Sequence, residues 1–387
     1  MSETYDVIIV GAGPAGGTCA RELAKKSWKV LLIERSKEIG EPNFSSGGIP
    51  YYLLDEFSLP QSIVADYWDK FQVVTPSHKL TWKYNNPKGY VLKFNELKKF
   101  LVKDAQDFGC TVMSGRTVED LLQKDNKING VIIKDTNERI FGKIIIDASG
   151  LQGIIASKVG LRKPVISSLT IGMEHIMNNV NFPTKHVLSF FLGRKFTQNG
   201  YSWIFPMGEN KVKVGSIIYE STKYKTNNKS LVEQLNRFAK SIDWLNNANI
   251  EETHGGSIFI SGGIKKLVFS NVLAVGDSAA LINPLGAEGI RHAMRAARMA
   301  AQTIDKTLTS GNLENLYDYE KMWKNYSGKK WRISRIFADF FYHKLNDNML
   351  DKFFYLLKSL PADDIFNLVF EYKFRIFLKV FRKIKLF

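Results

Sequence analysis

The stretch from Tyr5 to Glu34 constrains the fold more than any other part of this 387-residue chain. Tyr5 to Val10 is a continuous β-favouring run, Gly11 to Gly17 a glycine loop, Thr18 to Lys26 a helical stretch, and Val30 to Glu34 a second apolar run. Strand, glycine turn, helix and strand in close succession read as a βαβ unit, which requires a parallel sheet covered by helices. The glycines fall at Gly11, Gly13 and Gly16, giving G-x-G-x-x-G, with Pro14 and Ala15 inside the motif. Gly11 permits a tight turn, Gly13 lets a pyrophosphate approach the backbone, and Gly16 lets the helix pack close on the strand. The helix N-terminus then faces the phosphate charge. Glu34 ends the second strand, where it accepts hydrogen bonds from adenosine ribose hydroxyls and disfavours a 2′-phosphate, so NADP is not expected. The motif by itself leaves NAD and FAD open.

Five later stretches narrow this. Val275 to Ala280 reads V-G-D-S-A-A after a buried strand, and Asn283 to Ile290 reads N-P-L-G-A-E-G-I. A strand end there presents the Asp277 carboxylate beside Gly276, suited to a polyol. The glycine-bearing helix start at Gly286, Gly289 and Ile290 suits developing negative charge. Ile144 to Gly150 reads I-I-I-D-A-S-G, another strand end, and Glu41 to Pro50 reads E-P-N-F-S-S-G-G-I-P. That loop is too long and too unusual in composition to be a simple connection. Tyr201 to Pro206 reads Y-S-W-I-F-P. Strand alternation puts Tyr201, Trp203 and Phe205 on one face, as core packing or as a cavity wall.

Together these motifs resemble the FAD-dependent geranylgeranyl reductase family of the aromatic-hydroxylase-like flavoprotein superfamily, over residues 4–330. The resemblance implies that FAD is the cofactor and that Asp277 binds its ribityl or ribose hydroxyls. It also implies that Gly286 to Ile290 faces the flavin N1 and C2 carbonyl. Arg35, Ser46, Gly47, Gly48 and Gly150 are then further cofactor contacts. It further implies that Tyr201 and Trp203 line a cavity for a hydrophobic isoprenoid substrate, whose C=C bonds receive hydride from flavin N5 while Tyr201 relays a proton. The chain departs from the family pattern at four places. Ser45 or Ser46 replaces a cysteine, and Phe94 stands where an arginine is common, leaving Lys93 or Arg35 to neutralise the pyrophosphate. Glu288 replaces a glycine, and Gly153 to Ala156 replaces a serine and arginine. The same fold also hosts flavin monooxygenases, halogenases and lycopene-cyclase-like enzymes, which are the alternatives. No second G-x-G-x-x-G occurs, so electrons are expected from transient NAD(P)H or from a ferredoxin-type donor.

The expected architecture is α/β: a Rossmann-like, glutathione-reductase-type FAD-binding parallel sheet, an antiparallel β substrate domain and C-terminal helices. Its expected boundaries are 1–75, 95–160 and 265–310 for the FAD domain, 76–94 and 161–264 for the substrate domain, and 311–387 for the helical region. Helices are expected over 95–108, N-capped by Asn95, near 230–244, and over 288–309. A β-meander is expected from 111–114, 130–134 and 139–147.

Two cysteines without a CxxC pair argue against a structural disulfide or zinc site. His175, His186, His254 and His292 are isolated in sequence, and no metal site is expected. Arg291, Arg295 and Arg298 read as solvated charges. The start resembles no signal peptide, and no run approaches the ~18 apolar residues of a membrane span, so a cytoplasmic chain is expected. Lys and Arg total 54 against 38 acids, a net charge of +16 that calls for an anionic surface or ligand. No compact basic and aromatic motif suggests nucleic acid. Phe370, Phe374, Phe377, Phe381 and Ile384 instead form one stripe flanked by Lys373, Arg375, Lys379, Arg382, Lys383 and Lys385. That pattern reads as a basic amphipathic helix. Residues 366–387 are therefore expected to dock on an anionic membrane surface, the competing reading being a terminal helix packed on its own domain.

Overall fold

The computed structural model describes residues 4–124, 127–163, 169–219 and 230–379. By its internal contacts the chain forms two units, Met1–Asn43, Phe94–Ile166 and Phe259–Gly328, and Phe44–Lys93, Ser167–Ile258 and Lys329–Phe387.

The first unit is built on an eight-stranded sheet. Thr4–Val10 runs parallel to Val30–Glu34 and to Arg139–Asp147, which is itself parallel to Val272–Ala274. These strands are near-continuous apolar runs because both of their faces are covered, one of them by Val118–Lys124, Lys127–Ile133 and Ile155. Thr111–Ser114 was expected to open a meander, but it extends the parallel sheet beside Val30–Glu34. Leu31 to Ile33 are buried, so the free edge of their strand is closed by a partner. The antiparallel part consists of Lys127–Ile133 on the start of Arg139–Asp147, Val118–Lys124 on Lys127–Ile133, and Val268–Phe269 on Val272–Ala274.

The helices Pro14–Ala24, Phe94–Asp107 and Ile290–Ser310 belong to the same unit. Gly17 lets the first two approach closely, since a Cβ there would lie 2.9 Å from Leu101 Cβ. Cys19 Sγ donates to the Ala297 carbonyl at 3.4 Å, tying the first helix to the third. The second helix begins at Phe94, one residue before the expected start. Its Asn95 N–H is capped by Asn43 Oδ1 at 3.2 Å, so Asn95 is inside the helix and Asn43 is the capping side chain. The third helix stops at Gly311, whose φ of +71° is the left-handed conformation that glycine adopts freely.

Residues 44–75, expected with the dinucleotide sheet, belong to the second unit because their strands pair there. Gly48–Pro50 and Val64–Trp68 flank Gly89–Leu92 in a three-stranded sheet. Lys70–Val74 joins a seven-stranded sheet, antiparallel to Lys79–Lys83 and parallel to Val187–Leu192. The antiparallel core of that sheet is Val187–Leu192, Gly200–Pro206, Val212–Tyr219 and Leu169–Asn178. One face carries Val212, Val214 and Ile204 and is covered by the helix Leu231–Lys240 through Leu235 and Phe238. Ser230 Oγ accepts from Glu233 N at 3.2 Å, the capping pattern that S-x-x-E encodes.

The expected helical region 311–387 divides. Residues to Gly328 belong to the first unit, where Tyr319 donates to the Ala274 carbonyl at 3.2 Å. In the second unit the chain forms Asp347–Leu357, Ala362–Val369 and a short turn at Phe374–Ile376. The continuous amphipathic helix expected through Phe370, Phe374 and Phe377 is broken at Tyr372, whose φ is +54°. Three of its apolar residues pack internally. Phe370 stacks on Trp68 at 5.1 Å and meets Phe71 at 5.9 Å, and Phe374 and Phe377 meet Phe337 at 5.2 and 4.9 Å. Phe381 and Ile384 lie outside the described residues. Among the described residues no helix is long and apolar enough to cross a membrane, and no cluster of His, Cys, Asp or Glu could hold a metal ion.

Candidate active site

In the first unit the glycine loop opens a pocket at the end of the parallel strands, and the three glycines act differently. A Cβ on Gly11 would lie 2.3 Å from the Ala148 carbonyl oxygen, and one on Gly16 1.8 Å from the Gly11 carbonyl oxygen. Nothing lies within 4 Å of a Cβ on Gly13, so that backbone is open to a ligand. Gly13 is also the N-cap of Pro14–Ala24, with Pro14 in the first turn and Ala15 after it. Glu34 is fixed at the pocket edge, accepting from Ala12 N at 2.7 Å through Oε2 and from Ser36 N at 2.8 Å through Oε1. A carboxylate oxygen holding one amide keeps a further lone pair for a ribose hydroxyl.

Arg35 and Gly150 line the same pocket, as does a lysine that the motif reading missed, Lys98. It is 5% exposed and donates to the Pro42 carbonyl at 2.8 Å. Burial lowers its ammonium from the usual lysine value to about 8, against the opposing pull of Glu34 and Glu41. Lys98 Nζ sits 4.8 Å from the Phe94 ring centroid. The cation absent at Phe94 is thus supplied one helical turn later, a signal present in the i, i+4 spacing. Lys93, the other candidate, belongs to the second unit, where its exposed ammonium stands near the Ser62 carbonyl.

The D-A-S-G strand end and the G-D motif meet in this unit. Asp147 is fully buried, accepting from Ser149 N, Ser149 Oγ and Ala156 N at 2.9, 2.6 and 2.6 Å. Burial raises its carboxyl above the usual range, and these donors work against the rise. Ser278 Oγ donates to the Asp147 carbonyl at 2.6 Å, and Gly276, at φ +65°, packs so that a Cβ would be 2.8 Å from Ala15 Cβ. Asp277 therefore stands beside the first turn of the dinucleotide helix, and a Cβ on Gly289 would be 3.7 Å from its Oδ1. Burial raises the Asp277 carboxyl to about 6, while the Arg162 charge pulls it down. Arg162, 7% exposed, approaches the carbonyls of Asp277 and Ser278 at 3.5 and 3.4 Å. It supplies an arginine that the D-A-S-G stretch lacks locally. No spacing signal in the sequence marks it.

Between Asp277 and Ile290 the backbone is strained, with Ala280 and Ala287 at φ +54° and +49°. Gly286 is exposed, with nothing within 4 Å of a Cβ. Arg291 is not the solvated charge expected: it is 1% exposed and pairs with Glu288 at 2.7 Å. His292, also 1% exposed, approaches the same carboxylate at 3.4 Å and Tyr326 OH at 3.1 Å. Burial would raise the Glu288 carboxyl, but Arg291 and His292 outweigh it and hold it well below the carboxylate range. Glu288, which departs from the family pattern, thus comes with its own counter-charge. Arg295 also turns inward, donating to Tyr326 OH at 2.9 Å.

Ser46, Gly47 and Gly48 lie in the second unit, with Tyr201 and Trp203. A Cβ on Gly48 would be 3.1 Å from Phe205 Cε2, so this loop lies on the Y-S-W-I-F-P strand. Every residue of that strand is buried. Trp203 crosses Gly215, where a Cβ would meet its Cζ2 at 2.0 Å, and its Nε1 has no hydrogen-bond partner among the described residues. Tyr201 lies 6.4 Å from Tyr219 and 5.9 Å from Tyr342, ring to ring, and Tyr219 hydrogen-bonds to both. Sequence periodicity could not find Tyr342, because it enters on a distant π-helical turn, Phe340–Lys344. His175 is held by Thr253 and Asn236 at 2.9 and 3.0 Å, a structural histidine.

Comparison with known proteins extends the resemblance to the whole chain. The family model described as lycopene cyclase protein matches residues 6–365. The digeranylgeranylglycerophospholipid reductase of Methanocaldococcus jannaschii is 31% identical, over 91% of this chain and 90% of its own. That of Haloferax volcanii is 27% identical, over 94% and 92%. A solved geranylgeranyl bacteriochlorophyll reductase-like protein of Thermoplasma acidophilum superposes with a TM-score of 0.88 at 26% identity, covering 98% of this chain and 96% of its own. A flavin-dependent brominase superposes at 0.73 with 18% identity, over 96% and 93%, a likeness of fold alone. The glycine cradle, the Asp277 strand end and the Y-S-W-I-F-P strand are therefore those of a chain that belongs to the lycopene cyclase protein family and, within it, to the digeranylgeranylglycerophospholipid reductases.

Proposed function

We propose that the chain is an FAD-dependent oxidoreductase that reduces the C=C bonds of isoprenoid chains on a lipid substrate, of the class its reductase relatives are named for. The observation that carries the cofactor assignment is the contact of Gly276 with Ala15. It sets the polyol-binding Asp277 against the same helix start that is open at Gly13. Glu34, held by two amides, suits the adenosine ribose, and Lys98 and Arg35 suit the pyrophosphate. Bound flavin would supply the hydride. The protein's part is to bind, orient and exclude water. In the second unit Phe190, Tyr201, Trp203 and Phe205 form an apolar aromatic face, with ring centroids 5.2 to 6.3 Å apart. Such a face suits a prenyl chain, and the Tyr201 hydroxyl, linked to Tyr219, can hold and pass a proton.

The chain has one dinucleotide fingerprint, so its electrons come from outside, from NAD(P)H or a ferredoxin-type protein. A bilayer is the natural source of a lipid-tailed substrate, and a net charge of +16 favours an anionic surface. Purified chain loaded with FAD and reduced anaerobically with dithionite should add about 2 Da per double bond to geranylgeranyl lipids. No mass gain across prenyl lipids, with substrate-stimulated NADPH oxidation and oxygen uptake instead, would reject the reductase in favour of a monooxygenase.

A further inference from the structure

In the second unit a lysine and a glutamate are buried where neither is needed for the strand pairing. Glu174 on Leu169–Asn178 is 0% exposed, and Lys213 on Val212–Tyr219 is 2% exposed. Glu174 stands opposite Gly215 and Lys213 opposite Ile176, so the two are diagonal neighbours on one face. This is the face of the motif aromatics, because Gly215 also pairs with Trp203 and Lys213 with Phe205. Lys213 Nζ lies 3.4 Å from Glu174 Oε1, and among the described residues no hydrogen bond reaches either carboxylate oxygen. Removing two charges from water is costly, and an ion pair without supporting hydrogen bonds recovers little of the cost. The pair therefore has to be explained by what the lysine holds.

Lys213 Nζ donates to the carbonyl oxygen of Ser45. The loop that carries Ser45 is held at three further points. The Phe44 ring lies over two strand glycines, where a Cβ on Gly256 would be 2.7 Å and one on Gly172 3.6 Å from its ring carbons. Ser45 Oγ accepts from Gly47 N at 3.2 Å, and Leu92 N donates to the Gly47 carbonyl at 3.0 Å. Gly47 has φ +73° and buries its backbone against Leu92, so the loop follows one path. Of these anchors only the lysine is charged.

We propose that Lys213 and Glu174 are positioning residues, a buried ionic clamp that grips the Ser45 carbonyl and so sets where Ser46, Gly47 and Gly48 stand. Glu174 orients the ammonium, and Lys213 transmits that position to the loop. That these loop residues act in the reaction rests on the function proposed above, whereas the clamp does not.

Hydrogen exchange on the full-length protein without added ligand tests the clamp, comparing the native chain with Lys213→Met, Lys213→Arg and the isosteric Glu174→Gln. Amides of 44–50 should exchange roughly tenfold faster in Lys213→Met and Glu174→Gln, with 201–206 and 231–240 unchanged and Lys213→Arg partly protected. Unchanged exchange at 44–50, or equal acceleration across the strands, overturns the clamp. Should Lys213→Met fail to fold, Glu174→Gln decides the matter. Turnover on a geranylgeranyl lipid is then measured in the variants with a loosened loop. A fall in kcat supports service to the reaction, and native turnover overturns that half alone.

Discussion

Lys98 places a cation in the dinucleotide pocket one helical turn after Phe94. Phe94 occupies the position at which an arginine is common, and the lysine one turn later covers its ring and lines the dinucleotide pocket. Its ammonium, lowered to about 8 by burial, is charged at neutral pH and loses its charge as pH rises through that value. Attraction for a pyrophosphate is present below about 8 and fades above it. FAD affinity should therefore fall several-fold, up to about tenfold, from pH 7 to pH 9, and Lys98→Met should bind weakly at pH 7 with a flat profile. Fluorescence titration of the apoprotein across this range measures it, and a profile in the variant as steep as the native one would assign the effect elsewhere. Stability of the ligand-free protein moves oppositely. Between about 8 and the unfolded lysine value the unfolded chain binds the extra proton, so folding gains as pH rises.

The start of the helix Ile290–Ser310 is an element in which a carboxylate and its cation stand together. Glu288 precedes the helix, Arg291 and His292 follow in its first turn, and Tyr326 closes the group. Removing the carboxylate takes a charged partner from a guanidinium that is 1% exposed. Glu288→Ala should cost roughly 3–5 kcal/mol of unfolding free energy, and Glu288→Gln combined with Arg291→Met markedly less. Urea melts of the three chains measure the difference. Equal loss in the single and double variants would mean that the pair is not coupled. Sequence spacing puts Glu288 and Arg291 on one helical face, but it cannot say which face is buried. Arg291 therefore reads as solvated until the first unit's packing is known.

At the scale of the whole molecule Phe370 and Phe377 belong to the core of the second unit. Phe370 lies on Trp68 and Phe71, and the Tyr84 hydroxyl donates to the Ala362 carbonyl at 3.0 Å. Phe370→Ala should therefore destabilise the protein by about 3–5 kcal/mol. A protein in which Phe370 faced lipid would instead melt as the native chain does and lose only binding to anionic vesicles. Calorimetry and vesicle co-sedimentation on the same variant separate the two.

Much of the fold was legible because it rests on local chemistry. The βαβ fingerprint requires glycine where backbones touch at Gly11 and Gly16, and an acid at the end of the second strand, so sequence alone determined the parallel sheet, the dinucleotide pocket and the position of Glu34. Strand alternation likewise put Tyr201, Trp203 and Phe205 on one face. Contacts between residues far apart in the chain have no such local signature. Only the tertiary structure decided that Lys70–Val74 pairs with a strand more than a hundred residues away, that Arg162 stands beside Asp277, that Lys213 holds Ser45, and that Phe370, Phe374 and Phe377 are spent inside the second unit. The physical reason is that an amphipathic pattern states only that a face must be covered; what covers it is settled by which distant surface removes the most apolar area from water.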